Sequence, residues 1–522
     1  MTFNDLREFL SYLESKNLLK RVKAQVDANL EIAGIMDRLV KKGGPAVLFE
    51  NVHPVRSLPT ESSRKSSRLD AFNTETSSGV KGCNIPVVAN LFGTQERVAI
   101  GLGVTEDEFI EIGKWIAYLQ RPKPPEGLWE AIKSIPSFGK MLMLGPKTIK
   151  NAPCQDVVLQ GDDVDLSKFP IIKCWPEDAA PLITWPLVIT QSPDACPRES
   201  LSGRGQTNVG VYRMQYLDKN RAIMRWLKHR GGAHHQRLWK EQGKPMPVAV
   251  AIGCEPATII AAVTPVPEDV SEFHFAGVLR KKAIELAECK TIPLKVPATA
   301  EIVLEGEIRH EETALEGPFG DHTGYYNSAE PFPVFHIKCI THRKNPLYLT
   351  TITGRPPKED AVIGMALNKM FLPSLQLHFP EVVDFSLPME AVSYRIAVVS
   401  IKKQYPGHAK RIMMGIWGML KQFLYVKYII VVDDDINVHD WNDVVWAIST
   451  RVDPARDTMI IEDTPIDYLD FSSPVAELGS KMGIDATMKK PPEVSREWGK
   501  KIEADKAIED MINKRWKEYG LE

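Results

Sequence analysis

The segment LEGPFGDHTGYYN, residues 315–327, combines two carboxylates and an imidazole with a glycine-proline turn. Glu316 and Asp321 stand on either side of Gly-Pro-Phe-Gly, and His322 follows Asp321 directly. Glycine and proline restrict the backbone of a turn, so these side chains are aimed rather than free. Such a loop suits proton transfer, metal binding, or a purely structural turn with solvated acids, and by itself it leaves these alternatives open.

A second concentration of polar residues lies in NVGVYRMQYLDKNRAIMRWLKHRGGAHH, residues 208–235. Arg213, Arg225, His229 and Arg230 stand in or beside otherwise apolar strands, and Arg225 and His229 share strand parity. A buried arginine needs an anion, because an unpaired charge in a low-dielectric interior is costly. The pattern therefore favours either a phosphate or carboxylate ligand or a strand pair whose arginines face solvent.

Arg213 and Glu316 are residue types that form a carboxylate–guanidinium pair in a dry pocket. In that arrangement Asp321 is free to give or take a proton, provided that burial lifts its pKa toward the working pH.

Asn208, His229 and Glu272 are a candidate cation site of mixed nitrogen and oxygen ligands. Such a set suits Mn²⁺ or Mg²⁺ better than a structural zinc. The three residues are far apart in the sequence, so their spacing alone does not specify a metal.

A rival site follows the predicted strand YIIVV, where Asp433–Asp435 resembles the Asp-x-Asp that holds a metal–nucleotide in some glycosyltransferases. Aspartates at strand ends are more often caps or turn residues. The motif therefore supports a glycosyltransferase only as an alternative from a different class.

The pattern of elements predicts a multidomain α/β protein. Residues 1–122 read as a small α/β region with helices at 5–16 and 30–42, the second capped by Asn29, and a strand at 46–52. A capping box at Thr105 and Glu108 opens a further helix that runs to about residue 120. The Ser/Thr-rich stretch 54–83 predicts a mobile insertion.

Residues 123–345 carry many short β-branched stretches separated by turn residues, which predicts a largely β, barrel-like domain. Residues 346–522 alternate helices and strands, which is typical of an α/β layer with some parallel sheet. The last helix carries apolar residues on one side, namely Ile508, Met511, Ile512 and Trp516.

Composition excludes several classes of protein. The chain of 522 residues is 43% hydrophobic and 25% charged, with a net charge of −2, so no basic face for nucleic acid is expected. Seven scattered cysteines without a C-x-x-C pair argue against disulfides or a cysteine zinc site. We find neither a signal peptide nor about 18 consecutive apolar residues, so a cytoplasmic protein is expected.

A set of motifs spread over most of the chain resembles the UbiD family of decarboxylases, and within it the 4-hydroxy-3-polyprenylbenzoate decarboxylases of ubiquinone biosynthesis. The motifs are CWPEDAAPLITW (174–185), NVGVYR (208–213), RWLKHRGGA (225–233), TPVPEDVSEF (264–273), LEGPFGDHTGYY, TGRPPKEDAVIG, KKQYPGHAKRIMMGIWG, DDDINVHDWNDVVWAISTRVDPARD and TPIDYLDFSSPVAELGSKMGIDAT. Two segments depart from this likeness by their length, 54–83 and 192–207.

The resemblance implies a fold and a set of cofactors. The central domain is expected to be a split β-barrel similar to flavin reductases, and the C-terminal domain to mediate contacts in a homo-oligomer, here a hexamer. The expected cofactor is prenylated FMN from a partner flavin prenyltransferase, with Mn²⁺ bridging its phosphate to the protein and possible involvement of a monovalent cation.

The resemblance also implies roles for individual residues. Asn208, His229 and Glu272 match the metal ligands of the family, and Arg213, Glu316 and Asp321 match its catalytic network, in which other branches carry Glu in place of Asp321. The expected cofactor contacts are Val211, Tyr212, Arg213, Arg225, Trp226, Leu227, Arg230 and Gly231.

The implied reaction is the non-oxidative decarboxylation of 4-hydroxy-3-polyprenylbenzoate to 2-polyprenylphenol and CO₂. Loss of CO₂ from an aromatic carbon leaves an electron pair that no side chain can absorb, so a cofactor must act as electron sink. Arg213 is expected to position the carboxylate and Asp321 to protonate the ring carbon. A different aromatic acid and an inactive flavin-binding subunit are alternatives. The prenyl tail calls for an apolar channel or for peripheral association with the inner face of the membrane.

Overall fold

The computed structural model describes residues 2–55, 85–120, 144–193, 207–227, 230–264, 271–392, 394–419, 423–502 and 504–520. Most of the predicted insertions 54–83 and 192–207, and the candidate ligand His229, lie outside these described residues.

The helices of the described chain are α1 Leu6–Ser15, α2 Glu31–Lys41, α3 Gln95–Leu102, α4 Phe109–Gln120, α5 Gly231–Glu241, α6 Pro256–Val263, α7 Glu272–Leu279, α8 Glu359–His378, α9 His408–Met419, α10 Trp441–Arg451, α11 Pro454–Asp457 and α12 Lys506–Arg515. The strands are β1 Leu19–Asp27, β2 Ala46–His53, β3 Val87–Ala89, β4 Lys147–Thr148, β5 Val157–Gln160, β6 Leu182–Ile183, β7 Leu187–Gln191, β8 Thr207–Val211, β9 Met214–Asp218, β10 Arg221–Met224, β11 Met246–Ile252, β12 Glu285–Glu288, β13 Lys295–Pro297, β14 Ile302–Glu316, β15 Glu330–His342, β16 Tyr348–Leu349, β17 Val382–Ser386, β18 Ile396–Ile401, β19 Tyr428–Asp433, β20 Thr458–Pro465 and β21 Leu478–Ala486.

The N-terminal region is a small α/β layer, as predicted. Its sheet has the order β1-β2-β3-β16, and β1 and β2 are parallel neighbours joined through α2. Thr105 and Glu108 form the predicted capping box, which opens a short 3-10 turn before α4. The predicted cap at Asn29 is wrong, because Leu30 occupies the cap position of α2 without a side-chain hydrogen bond. Asn29 instead forms a β-bridge with Lys173 of the central domain.

The central domain is built on one large sheet, as the dense short strands predict. Its order is β6-β9-β10-β15-β14-β11-β7-β8, and the sheet curls into a half-barrel. The ninth strand, β5, pairs with β15 outside this order. Strands β7 and β11 are buried along nearly continuous apolar runs, and β14 is buried over its first five residues, which places the main core beneath this sheet.

The C-terminal domain is the predicted α/β layer. Its sheet has the order β17-β18-β19-β21-β20, in which β18, β19 and β21 are parallel and the two edge pairs are antiparallel. The long helix α8 packs against α4 and thereby joins the C-terminal domain to the N-terminal region. In the described part of the chain, no helix is both long and apolar enough to cross a membrane.

The hairpin β14–β15 carries the polar loop of the first motif. The two strands pair from Ile302 opposite His342 to Glu316 opposite Glu330, and residues 317–329 connect them. At Gly306 the strands come so close that an added Cβ would lie 1.9 Å from the carbonyl oxygen of His336. This contact fixes the hairpin that presents Glu316.

Gly306→Ala should therefore destabilise the protein by about 3 kcal/mol, since the clash is with backbone that cannot rotate away. We expect a lower free energy of unfolding in denaturant titration. The matched control is Gly34→Ala in α2, where an added Cβ meets nothing within 4 Å. That change should be neutral or stabilise by about 0.5–1 kcal/mol. Equal stability of the two variants would contradict the argument.

Candidate active site

Arg213 stands at the link between β8 and β9 and connects the two carboxylates of the first motif. Its Nε donates to Glu316 Oε1 at 2.8 Å, and its Nη1 donates to Asp321 Oδ2 at 2.5 Å. Nη2 donates to Asn327 Oδ1 at 3.1 Å. The Arg213–Glu316 contact expected from the sequence is present, and the guanidinium is held on three sides by acceptors.

Arg225 is the second guanidinium at this site. Its Nη1 donates to Glu316 Oε2 at 2.6 Å, and Glu316 is completely buried. The guanidinium lies 4.8 Å from the ring centre of Phe332 and 5.3 Å from that of Tyr468. Its other nitrogen, Nη2, is buried without a hydrogen-bond partner in the described chain. The site therefore retains a buried donor that an anionic ligand could satisfy.

Two side chains, Asp178 and Asn327, hold the loop 317–329 in place by accepting hydrogen bonds from backbone N–H groups. Asp178 accepts hydrogen bonds from the backbone N–H groups of Gly320 at 2.9 Å and Trp175 at 2.7 Å. Asn327 Oδ1 also accepts from Phe319 N at 3.0 Å. Burial raises the pKa of Asp178 to about 6, although these hydrogen bonds oppose the rise. The loop is thus rigid around Asp321.

The expectation that burial lifts the pKa of Asp321 toward working pH is wrong for this arrangement. Burial does raise the pKa of this carboxyl, but the Arg213 charge and the His322 hydrogen bonds outweigh burial and hold the pKa well below its usual range. The backbone N–H of His322 donates to Asp321 Oδ1 at 2.7 Å, and the ring Nδ1 lies 2.8 Å from the same oxygen. Asp321 is therefore ionised at neutral pH.

Asn208 on β8 and Glu272 at the start of α7 lie close together, although 64 positions separate them in the sequence. The backbone N–H of the neighbouring Val209 donates to Glu272 Oε2 at 3.3 Å. Burial raises the pKa of Glu272 to about 7, and no cationic side chain of the described residues is among the causes acting on it. A bound divalent cation would remove this penalty.

His229, the third expected ligand, lies outside the described residues, so the trio is not complete here. Within the described ranges, no three His, Cys, Asp or Glu side chains are placed to hold a metal together.

The start of α5 forms a tight corner against the same two strands. A Cβ on Gly231 would lie 2.0 Å from Asn208 Oδ1, so any larger residue there would displace the Asn208 side chain. The backbone N–H of Gly232 donates to the Tyr212 hydroxyl at 3.4 Å. The free N–H groups of a helix start attract phosphate. The donor set of this corner, together with Asn208 and Glu272, fits a phosphate bridged by a cation.

The other expected cofactor contacts follow the same two chain segments. Arg225 N donates to Arg213 O at 3.2 Å, so the segments run side by side. The Trp226 ring meets the Tyr212 ring edge-on at 6.0 Å, and its Nε1 donates to Gln236 at 2.8 Å. The remaining positions lie along these segments, with Val211 ending β8, Leu227 partly exposed, and Arg230 preceding α5.

The rival acidic motif is occupied by the protein's own cations. Arg451 Nη1 donates to Asp433 Oδ2 at 2.9 Å, and both Arg451 and Lys501 donate to Asp435 Oδ2 at 2.8 Å. Asp433 also accepts the backbone N–H of Met488 at 2.6 Å. The carboxylates of Asp433 and Asp435 are thus paired with groups of the protein at the end of β19. The metal–nucleotide interpretation therefore has no support.

Sequence reasoning missed three residues that touch this site. Asn327 lies within the first motif and could have been inferred from it. Tyr394 and Asp467 belong to the C-terminal domain, and only the tertiary structure brings them to the site. His322 Nε2 lies 3.0 Å from the Tyr394 hydroxyl, which donates to Asp467. No spacing in the sequence connects positions 322, 394 and 467.

Comparison with family models accounts for most of the chain. The N-terminal, Rift-related and C-terminal domain models of 3-octaprenyl-4-hydroxybenzoate carboxy-lyase match residues 10–114, 147–356 and 361–486. The chain belongs to the UbiD family. As a UbiD-family protein it is a carboxy-lyase, as predicted, and its three-part architecture is that of the family.

Solved structures of UbiD-class enzymes are similar over nearly the whole length. HmfF of Pelotomaculum thermopropionicum, in complex with FMN, is 29% identical with a TM-score of 0.75, covering 95% of this chain and 97% of HmfF. Vanillic acid decarboxylase of Sedimentibacter hydroxybenzoicus is 27% identical with a TM-score of 0.80, covering 99% and 98%. The 3,4-dihydroxybenzoic acid decarboxylase of Klebsiella pneumoniae, 20% identical with a TM-score of 0.73 over 96% and 98%, shares the fold.

Asp321→Asn should lower the free energy of unfolding of this UbiD-family protein by about 3 kcal/mol at pH 7, because Arg213 loses a buried anion. The folded pKa of Asp321 is lowered, so its contribution is present above about pH 4 and lost as the pH falls through the folded pKa. The deficit should therefore shrink in denaturant titrations below pH 4.

The control for this titration is Glu111→Gln, which removes one member of an exposed pair with Lys114. Exposed pairs contribute little, so this variant should match the parent within about 0.5 kcal/mol at every pH. A deficit of Asp321→Asn that is independent of pH would show that Asp321 is not held ionised.

Proposed function

We propose that this chain decarboxylates 4-hydroxy-3-polyprenylbenzoate to 2-polyprenylphenol and CO₂ in ubiquinone biosynthesis. The observation that carries the proposal is the buried cluster of two arginines and two carboxylates, Arg213, Arg225, Glu316 and Asp321, on one rigid loop and two strands. The description of the matching family models supports the same substrate class.

Prenylated FMN, when bound, supplies the electron sink that side chains lack. FMN and prenylated FMN are the ligands of two solved forms of HmfF, which supports this cofactor here. The residues that would hold it are Val211, Tyr212, Arg213, Arg225, Trp226, Leu227, Arg230 and Gly231. The unpaired Arg225 Nη2 and the helix start at Gly231 are the features of this chain that fit an anionic cofactor.

Mn²⁺ is the divalent ion that we propose for Asn208, His229 and Glu272. The partly buried Glu272 carboxylate gains a counter-charge when a cation binds, and an amide oxygen and a carboxylate are ligands that suit Mn²⁺. These three residues would hold the ion, which would supply positive charge to balance the Glu272 carboxylate and an anionic cofactor.

The chain's own residues bind the carboxylate and manage one proton. Glu316 accepts hydrogen bonds from both Arg213 and Arg225, so it holds both guanidiniums in place. Arg213 is the group that we propose to orient the substrate carboxylate, as the family resemblance implies, while its hydrogen bonds to Glu316 and Asp321 hold the guanidinium in place. Asp321 delivers a proton to the ring carbon after CO₂ departs. Because Arg213 holds Asp321 ionised, Asp321 must first take up that proton from another group.

The prenyl tail has an apolar surface available beside the loop. The ring of Tyr325, 68% exposed, meets the ring of Phe471, 55% exposed, edge-on at 6.3 Å. Apolar side chains exposed together mark contact surfaces. This surface favours a substrate with a long hydrocarbon tail.

A second candidate substrate is a small aromatic acid without a tail. The similarity to vanillic acid decarboxylase supports this alternative, because its coverage and TM-score are as high as for any solved structure named above. The two candidates differ in whether the exposed apolar surface contributes to binding.

The proposal also includes partners and a location. A flavin prenyltransferase would supply the cofactor, and the chain would assemble as a homohexamer on the cytoplasmic side, with peripheral contact to the membrane. The amphipathic helix α12 supports an external contact, because none of its described residues is buried and Ile508, Met511 and the adjoining Trp516 are exposed.

Protein co-expressed with a flavin prenyltransferase should release CO₂ from 4-hydroxy-3-polyprenylbenzoate at a higher kcat/KM than from vanillic acid. Asp321→Asn should retain the cofactor, seen by absorbance and mass, and lose at least about 100-fold in kcat, because an amide cannot donate the proton. Phe471→Ser should raise KM for the polyprenyl acid alone. Equal kcat/KM for both acids in the parent would favour the small-acid alternative.

Glu272→Gln should lower Mn²⁺ affinity by at least about tenfold, because the ion loses a charged ligand. Mn²⁺ content would be measured by elemental analysis after dialysis against graded Mn²⁺ concentrations. The matched control is Asp435→Asn at the rival acidic motif, which should leave Mn²⁺ content unchanged. The reverse result, loss of Mn²⁺ in Asp435→Asn alone, would move the metal to that motif.

A further inference from the structure

A continuous row of polar groups leads from Asp321 into the C-terminal domain. His322 Nδ1 lies 2.8 Å from Asp321 Oδ1, and His322 Nε2 lies 3.0 Å from the Tyr394 hydroxyl. The Tyr394 hydroxyl donates to Asp467 Oδ2, which Arg395 Nη2 also reaches at 3.4 Å. The row joins the loop of the central domain to residues that lie 72 or more positions further along the chain.

The donors and acceptors of this row determine the protons on His322. Tyr394 has one hydroxyl proton and gives it to Asp467, so its oxygen faces His322 as an acceptor. His322 Nε2 must then carry a proton. The Asp321 carboxylate is also an acceptor only, so Nδ1 must carry a proton as well. An imidazole with both nitrogens protonated is the charged imidazolium.

The charges around the ring agree with this assignment. Burial lowers the pKa of His322, but the hydrogen bond to Asp321 and the negative charges of Asp321, Asp360 and Asp467 outweigh it, so the pKa is raised. The positive groups that face the row are one step removed, Arg213 beyond Asp321 and Arg395 beyond Asp467.

We propose that His322 is a positioning residue that stores the proton for Asp321, and that Tyr394 and Asp467 hold it in the charged form. This inference rests on the proposed function, because it concerns the proton that decarboxylation consumes. The Nδ1–H bond of His322 breaks, its electron pair stays on nitrogen, and an O–H bond forms on Asp321 Oδ1. The neutral imidazole, 19% exposed, then takes its next proton from solvent.

The position of His322 accounts for the source of the proton that Asp321 delivers. Arg213 keeps Asp321 ionised, so Asp321 alone has no proton to deliver near neutral pH. His322 is an acid within hydrogen-bond distance of the other oxygen of the same carboxylate. Tyr394, which accepts from His322, and Asp467, which accepts from Tyr394, both come from the C-terminal domain. The proton store is therefore complete only when that domain is docked on the loop.

The charge of His322 can be measured without any turnover. Protein without cofactor, labelled with ¹⁵N-histidine, would be titrated by NMR, and the signal missing in His322→Gln assigns the ring. Both ring nitrogens should be protonated at pH 7. Tyr394→Phe should lower the midpoint by about one pH unit, because the charged form loses an acceptor. The control Tyr348→Phe removes a buried hydroxyl that has no hydrogen-bond partner among the described residues and should leave the midpoint unchanged.

The role of His322 in turnover is tested on the cofactor-loaded enzyme through its pH profile. His322→Gln should lower kcat by about 100-fold with little change in KM, because the glutamine amide cannot transfer a proton. Tyr394→Phe should keep more activity and lose it at a pH about one unit lower than the parent, as its imidazolium deprotonates earlier. The control His336→Gln, at a histidine paired with Glu312 away from the site, should keep the parent profile.

A neutral His322 at pH 7, or a His322→Gln enzyme with the parent kcat and pH profile, would overturn the inference. These results are distinct from failure of the proposed function, which would appear as loaded parent enzyme that releases no CO₂ from any aromatic acid. In that event the NMR titration still decides whether Tyr394 and Asp467 hold His322 charged, and an unshifted midpoint in Tyr394→Phe rejects it.

Discussion

The buried guanidinium of Arg213, held between Glu316 and Asp321, is the interaction on which the rest of the site depends. An unpaired arginine at this depth would be strongly unfavourable, and breaking such a pair costs about 3–5 kcal/mol. Glu316 serves Arg213 and Arg225 at once, so two positive and two negative side chains balance within one cluster. This balance keeps both guanidiniums fixed while leaving a buried nitrogen of Arg225 for a ligand.

The same pairing creates the chemical problem that the loop has to solve. A carboxylate that neutralises an arginine is a poor acid, since the positive charge favours its ionised form. The structure places the His322 imidazole on the other oxygen of that carboxylate, and the Tyr394 hydroxyl of another domain lies 3.0 Å from its second ring nitrogen. In the proposed function, orientation of the substrate and supply of its proton are thereby assigned to different residues.

Much of the fold follows from local patterns that tertiary contacts did not override. The first helix, the capping box at Thr105 and the dense β-branched strands of the central domain appear where periodicity and cap chemistry predict them. The cap of α2 is an exception, because Asn29 pairs with Lys173 instead, a long-range contact that local preference does not anticipate. The family likeness identified Arg213, Glu316 and Asp321 as a group, and the structure brings these three together.

The sequence by itself determined the domain order, the chemical types of the site residues and the membership of the UbiD family, because these depend on periodicity and on motifs that are contiguous along the chain. Only the tertiary structure decided that the pKa of Asp321 is lowered, so that this residue is ionised. It also decided that Tyr394 and Asp467 of another domain lie beside His322. Both facts depend on distances between groups far apart in sequence, and electrostatic interaction varies with distance and burial. Residue order alone does not contain either quantity.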